Sequence, residues 1–188
     1  MIFAEQIVHQ IIKKKNSLFR SFLPNSKYNF DFKEIKKFNN FKTVIVIGMG
    51  GSVLGARAIY SFLKYKIKKK FIFIDNLDQE FLDKIKKNEK LNKTLFLIIS
   101  KSGNTNETII NSSYFNSFFK KSNVIIISEN KNNILSNFAK NKNFKLIKHN
   151  PFIGGRYSVF SEVGMLPAYL MGLNPKNFKK KSSQDIKE

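Results

Sequence analysis

The sequence predicts an α/β fold: a three-layer, doubly wound, five-stranded parallel sheet with N-terminal helices. Three observations predict it. Five short runs are apolar throughout rather than alternating, which suits strands covered on both faces. Helix-like stretches separate them, so neighbouring parallel strands are joined by right-handed crossovers. Glycine-rich or hydroxyl-rich segments follow the first and third runs, where ligands bind in open parallel sheets.

The elements follow in order. The first forty residues read as a helical segment: residues 2–19 carry an apolar stripe, and residues 30–38 suggest a second short helix. The strand Thr43-Val44-Ile45-Val46-Ile47 leads into a glycine turn and a helix over residues 52–66. Phe71-Ile72-Phe73-Ile74 is the second strand, followed by Asp75 and a helix over 79–88. Thr94 to Ile99 is the third, followed by a Ser/Thr loop and a helix over 105–119. Asn123 to Ile127 precedes a helix over 132–140, and Phe144-Lys145-Leu146-Ile147 is a fifth, shorter strand. A helix over 157–171 closes the domain, ended by Asn174-Pro175. Residues 1–40 are thus a helical lead, 41–175 the main domain, and 176–188 a polar linker or tail.

Composition narrows the class. The chain has 188 residues and is 42% hydrophobic, enough for one domain with a full core. It contains no cysteine, which removes disulfides and thiolate metal sites. His9 and His149 are far apart in sequence and have no acidic cluster nearby, so no metal site is expected and His149 reads as a loop residue. The carboxylates, Glu162 among them, suggest no catalytic pair. The longest uncharged apolar stretch, residues 44–56, holds four glycines and is too short to span a bilayer. No basic segment followed by an apolar core opens the chain, so a cytoplasmic location is expected. The net charge of +21 raises a nucleic-acid partner. The charge is scattered and almost all lysine, with arginine only at Arg20, Arg57 and Arg156, which argues against one.

Three segments carry chemistry. Gly48-Met49-Gly50-Gly51-Ser52 lets backbone N–H groups approach a ligand at the start of a helix. A dinucleotide fingerprint starting at Gly48 needs glycine where Val53 stands, although Asp75 ends the second strand as a ribose-binding acid does. A P-loop starting at Gly50 fails at Ala56-Arg57. In the loop from Ser100 to Thr108, the hydroxyls of Ser100, Ser102 and Thr105 can donate to phosphate oxygens. The backbone N–H groups of residues 102–105 are expected to face the same concavity, and Glu107 can instead cap the helix start. Gly154-Gly155-Arg156-Tyr157-Ser158 places an always-charged arginine behind two glycines, suited to a developing negative charge.

In this order, the glycine turn, Ser-Lys-Ser-Gly-Asn-Thr-Asn-Glu-Thr and Gly-Gly-Arg-Tyr-Ser-Val-Phe-Ser, with Gly164 and Pro167 beyond, resemble the glucose-6-phosphate isomerase family. More broadly they resemble the flavodoxin-like sugar isomerase (SIS) domain, over about residues 40–175. The resemblance implies sugar-phosphate contacts at Gly51 and Ser52. It puts a phosphate clamp at Ser100, Lys101 (mainly its backbone), Ser102 and Thr105, and a catalytic arginine beside the enediolate at Arg156. It implies aldose–ketose isomerisation of glycolysis and gluconeogenesis through a cis-enediol, with no cofactor and no metal. The Gly103-Asn104-Thr105 sequence is closer to generic SIS domains and bifunctional glucose/mannose isomerases than to the common, threonine-richer form. The family carries a second SIS domain with the catalytic glutamate, histidine and lysine, and works as a homodimer. The chain therefore reads as the N-terminal half of such an isomerase. The alternatives are a stand-alone SIS module that senses sugar phosphates and a fragment of a bifunctional isomerase.

Overall fold

A computed structural model describes Ser21 and residues 26–184; the helix expected over residues 2–19 lies outside the described residues. The elements are α1 (Phe32–Ile35), β1 (Thr43–Gly48), α2 (Gly51–Leu63), β2 (Lys70–Ile74), α3 (Gln79–Asn88), β3 (Thr94–Ile99), α4 (Asn106–Tyr114), β4 (Val124–Glu129), α5 (Ile134–Lys142), β5 (Lys145–His149), α6 (Glu162–Leu170) and α7 (Pro175–Gln184). The five strands are all parallel, in the order β2-β1-β3-β4-β5. This is the doubly wound sheet that the apolar runs predict.

Alternate residues of each strand face opposite layers, as the period of two requires. Val44, Val46, Leu95, Leu97, Ile125 and Ile127 pack under α2 and α6, together with Phe30, Ile35 and Phe38 from the first described segment. Ile45, Ile47, Phe96, Ile98 and Ile126 pack under α3, α4 and α5 through Leu82, Ile85, Phe115, Leu135 and Ala139. All six residues of β3 and of β4 are buried, which explains why these runs are apolar without alternation.

Chain order reverses between β1 and β3, and this switch point positions the site. Gly48 pairs in register with Ile99, so both strands end at the same level. A Cβ on Gly48 would stand 2.7 Å from the Ile99 carbonyl oxygen, so this close approach requires glycine.

Five elements differ from the expectation. Residues 30–38 hold only the short α1, followed by a 3-10 helix, Lys36–Asn40, and the helix over 52–66 ends at Leu63 and continues as a 3-10 turn, Lys64–Lys66. The helix over 105–119 stops at Tyr114 and continues as a 3-10 turn, Asn116–Phe118. The helix over 157–171 divides into a 3-10 segment, Gly155–Phe160, and α6. Ser161 is extended between them (φ −88°, ψ −172°), and its Oγ accepts the Val163 N–H to cap α6. Residues 176–184 of the expected linker or tail form α7 together with Pro175. Asn174-Pro175 both ends one helix and starts the next: the Asn174 Oδ1 accepts the Lys176 N–H at 3.1 Å, and Pro175 takes the first helical position.

Candidate functional site

Two helices begin at the switch point without a side-chain cap. Gly50 precedes α2 at φ +52° and has no side chain to offer, and Thr105 precedes α4 without a capping hydrogen bond. The dipoles of both helices favour an anion, although in α2 the Ser52 and Val53 N–H groups already donate to the Met49 and Gly50 carbonyls at 3.1 and 3.0 Å. Glu107 makes no capping box, contrary to the alternative expected for it.

The hydroxyls of the Ser/Thr loop bond to one another. The Ser100 Oγ lies 2.8 Å from the Thr105 Oγ1, and the Ser102 Oγ 3.4 Å from the same atom. Ser100 follows β3 and is buried, whereas Ser102 is exposed. The expectation for the loop backbone changes in part, because two of its amides are satisfied internally. Gly103 donates to the Ser100 Oγ at 3.1 Å and Asn104 to the Ser102 Oγ at 3.2 Å. Gly103 adopts φ +69°, and a Cβ there would meet the Asn133 Oδ1 at 1.9 Å, so the bend requires glycine.

The Lys101 side chain points to the neighbouring loop. Its Nζ donates to the Pro151 carbonyl at 2.7 Å and lies 3.6 Å from the Glu129 carboxylate, which also holds Lys131 at 2.7 Å. Burial pushes the Glu129 carboxyl up, but Lys131 and Lys101 outweigh it and leave it below its ordinary value.

The third segment joins the first. The Ser158 Oγ donates to the carbonyls of Gly51 at 3.2 Å and Gly155 at 2.7 Å. Gly51 is the first residue of α2 and Ser52 the second; a Cβ on Gly51 would stand 2.2 Å from the Gly155 oxygen. Val159 also packs on two glycines: a Cβ on Gly164 would stand 2.1 Å from its carbonyl oxygen, and one on Gly55 2.9 Å from its Cγ2. Arg156, one residue beyond this backbone contact, is exposed. Among the described residues its guanidinium has no hydrogen-bond or ion-pair partner.

The structure thus links all three segments: Gly51 to Gly155 directly, and the Ser/Thr loop to the 150s loop through Lys101. By contrast, Asp75 is engaged, receiving Arg57 at 2.6 and 3.2 Å through both guanidinium nitrogens. That bidentate pair occupies the acid a ribose would need.

Sequence reasoning missed one feature. His149 is buried at the end of β5, and its Nδ1 lies 2.6 Å from the Glu162 Oε1. Its Nε2 lies 3.1 Å from the Ile153 carbonyl. It is not a free loop residue, and Glu162 does pair with it. The signal was available: a histidine closing a strand and a glutamate opening the next helix, both beside the arginine loop.

These features define an open, doubly wound α/β domain of the kind that takes ligands at its switch point. The family model for phosphoglucose isomerase matches residues 16–181. A glucose-6-phosphate isomerase from Methanocaldococcus jannaschii is 36% identical over 153 residues, covering 78% of this chain and 37% of that protein. Among solved structures, a hypothetical protein from Thermus thermophilus superposes with a TM-score of 0.82 at 22% identity, over 98% of this chain and 46% of that one. A glucose-6-phosphate isomerase from Chlamydia trachomatis gives 0.63 at 25% identity, over 80% of this chain and 30% of that one. The chain belongs to the phosphoglucose isomerase family. It spans less than half the length of the curated relatives it matches. Among the described residues no helix is long and apolar enough to cross a membrane.

Proposed function

We propose that this chain supplies the sugar-phosphate-binding half of a glucose-6-phosphate isomerase. The observation that carries the reading is the meeting, at one sheet edge, of two helix N-termini without side-chain caps and the loop of Arg156, which has no partner among the described residues. Phosphate is taken by the hydroxyls of Ser100, Ser102 and Thr105 and by the Lys101 backbone. The engagement of the Lys101 Nζ elsewhere supports the backbone role. Gly51 and Ser52 contact the sugar.

Isomerisation moves a proton between adjacent carbons through a cis-enediol, and negative charge develops on oxygen as the C–H bond breaks. Arg156 faces that charge. Its guanidinium needs no rearrangement away from a competing carboxylate, so its field is available in the transition state. The base that takes the proton belongs to the remainder of a longer isomerase, which acts as a cytoplasmic homodimer.

Calorimetric titration tests the reading. The chain should bind glucose-6-phosphate more tightly than inorganic phosphate and should not convert fructose-6-phosphate by itself. Absence of any sugar-phosphate binding contradicts the reading, and robust conversion contradicts the missing base. A stand-alone sensor would instead bind tightly enough to act without a second domain.

A further inference from the structure

We propose that the buried His149–Glu162 couple is a positioning device that holds the Arg156 loop against the substrate site. This rests on the sugar-phosphate reading given above. Both residues are 3% exposed, and they stand at the two roots of the loop, at the end of β5 and the start of α6. One carboxylate oxygen, the Glu162 Oε1, receives two bonds from the opposite root: the His149 Nδ1 at 2.6 Å and the Asn150 N–H at 3.1 Å. The other ring nitrogen lies 3.1 Å from the Ile153 carbonyl, three residues before Arg156, and donates to it when both ring nitrogens carry a proton. Ring and carboxylate thus tie three points of a segment that is otherwise turns and a 3-10 helix.

The direction of the tie matters. The loop is held from outside by the Lys101 Nζ on Pro151, and from α2 by Ser158 on Gly51. Those contacts set where Gly154 and Gly155 lie. The His149–Glu162 couple anchors the loop's far side to the sheet edge, so Gly155 cannot swing away from Gly51. Such an anchor must be polar to be directional, because an apolar pair of equal volume fills the space without fixing the two backbone groups, Asn150 N–H and Ile153 C=O.

The test compares the intact 188-residue chain with two variants. The double variant His149→Leu/Glu162→Leu removes both members of the buried pair together; the Lys179 ammonium loses the field of Glu162 but keeps its hydrogen bonds to Ser26. Glu162→Gln retains an acceptor oxygen and serves as the conservative rescue. The double variant should lose about tenfold in glucose-6-phosphate affinity, as expected for one lost charge-assisted interaction. Its inorganic phosphate affinity should be unchanged, since the Ser100–Thr105 loop is untouched, and Glu162→Gln should recover most of the loss. Amide exchange of residues 150–158 should accelerate in the double variant while β1, β3 and β4 stay protected. Wild-type sugar-phosphate affinity in the double variant overturns the proposal, as does a parallel loss of both ligands. If the unmodified chain itself fails to prefer glucose-6-phosphate over phosphate, the functional reading falls. Exchange then decides the clamp alone: unaltered protection at 150–158 overturns it.

Discussion

Replacing Gly51 by alanine should separate the glycine turn from the arginine loop. The position does not require positive φ, so the backbone itself accepts alanine, and alanine favours the helix by about 1 kcal/mol. The obstacle is contact. A Cβ there meets the Gly155 oxygen at 2.2 Å, its carbonyl carbon at 2.3 Å and its Cα at 2.9 Å, where ordinary contacts are 3.4–4 Å. All three are backbone atoms, so relief requires moving the loop. Overpacking of this kind costs about 1–3 kcal/mol. The Ser158–Gly51 hydrogen bond is lost with it, at about 1 kcal/mol. Set against the helix gain, the net destabilisation is about 1–3 kcal/mol. Gly172→Ala is the control: φ is +87° with nothing within 4 Å, so it introduces strain of about 1–2 kcal/mol far from the site. Urea unfolding should find both variants destabilised. Calorimetry should find glucose-6-phosphate binding weakened about tenfold only in Gly51→Ala. Equal sugar-phosphate affinity in the two variants would refute the reasoning that Gly51 seats the Arg156 loop.

Further outcomes follow from other contacts. Thr105→Val deletes the hydroxyl that Ser100 and Ser102 share; it should cost about 1 kcal/mol of stability and weaken inorganic phosphate binding, both readable by calorimetry. Arg156→Ala should leave the melting temperature unchanged, because the side chain has no partner to lose among the described residues, and in a complete isomerase it should cut turnover far more than it weakens sugar-phosphate binding, as steady-state kinetics would read. Gly103→Ala should lower the melting temperature sharply, since it combines positive φ with a 1.9 Å clash on Asn133. Burial lowers the Lys179 ammonium from its ordinary 10.5 to about 8, so between those values the unfolded chain binds more protons than the folded one. Stability should therefore rise with pH across that window. Unfolding of Lys179→Met, followed across the same window, should lack the rise. Burial raises the Tyr28 phenol to about 12, so the folded chain holds its proton longer and stability should fall as pH climbs above the ordinary value of 10.0.

Much of the fold is legible because burial on two faces leaves a local trace. β1, β3 and β4 appear as uninterrupted Ile, Val, Leu and Phe, and their boundaries lie within a residue or two of the observed ones. The helical stretch after Gly154 was not legible. Whether residues 155–160 coil as 3-10 or α depends on Val159 wedging against Gly55 and Gly164, a contact between distant segments. α7 was hidden by its lysines, although one of them, Lys179, is buried over the Tyr28 ring at 3.9 Å. For the site, residue types and spacing suffice to single out the three segments. That Lys101 turns toward Pro151, that Gly51 touches Gly155 and that His149 meets Glu162 are tertiary facts. His149 beside Asn150-Pro151 has every local mark of a loop, and only the return of α6 buries it.

The most direct measurement is an amide chemical-shift map of the isotope-labelled chain titrated with glucose-6-phosphate at near-physiological salt. A single sugar-phosphate site at the switch point predicts that residues 50–52, 100–108 and 154–158 shift together with one dissociation constant. Shifts confined to the surface lysines, or to one segment without the other two, would contradict it.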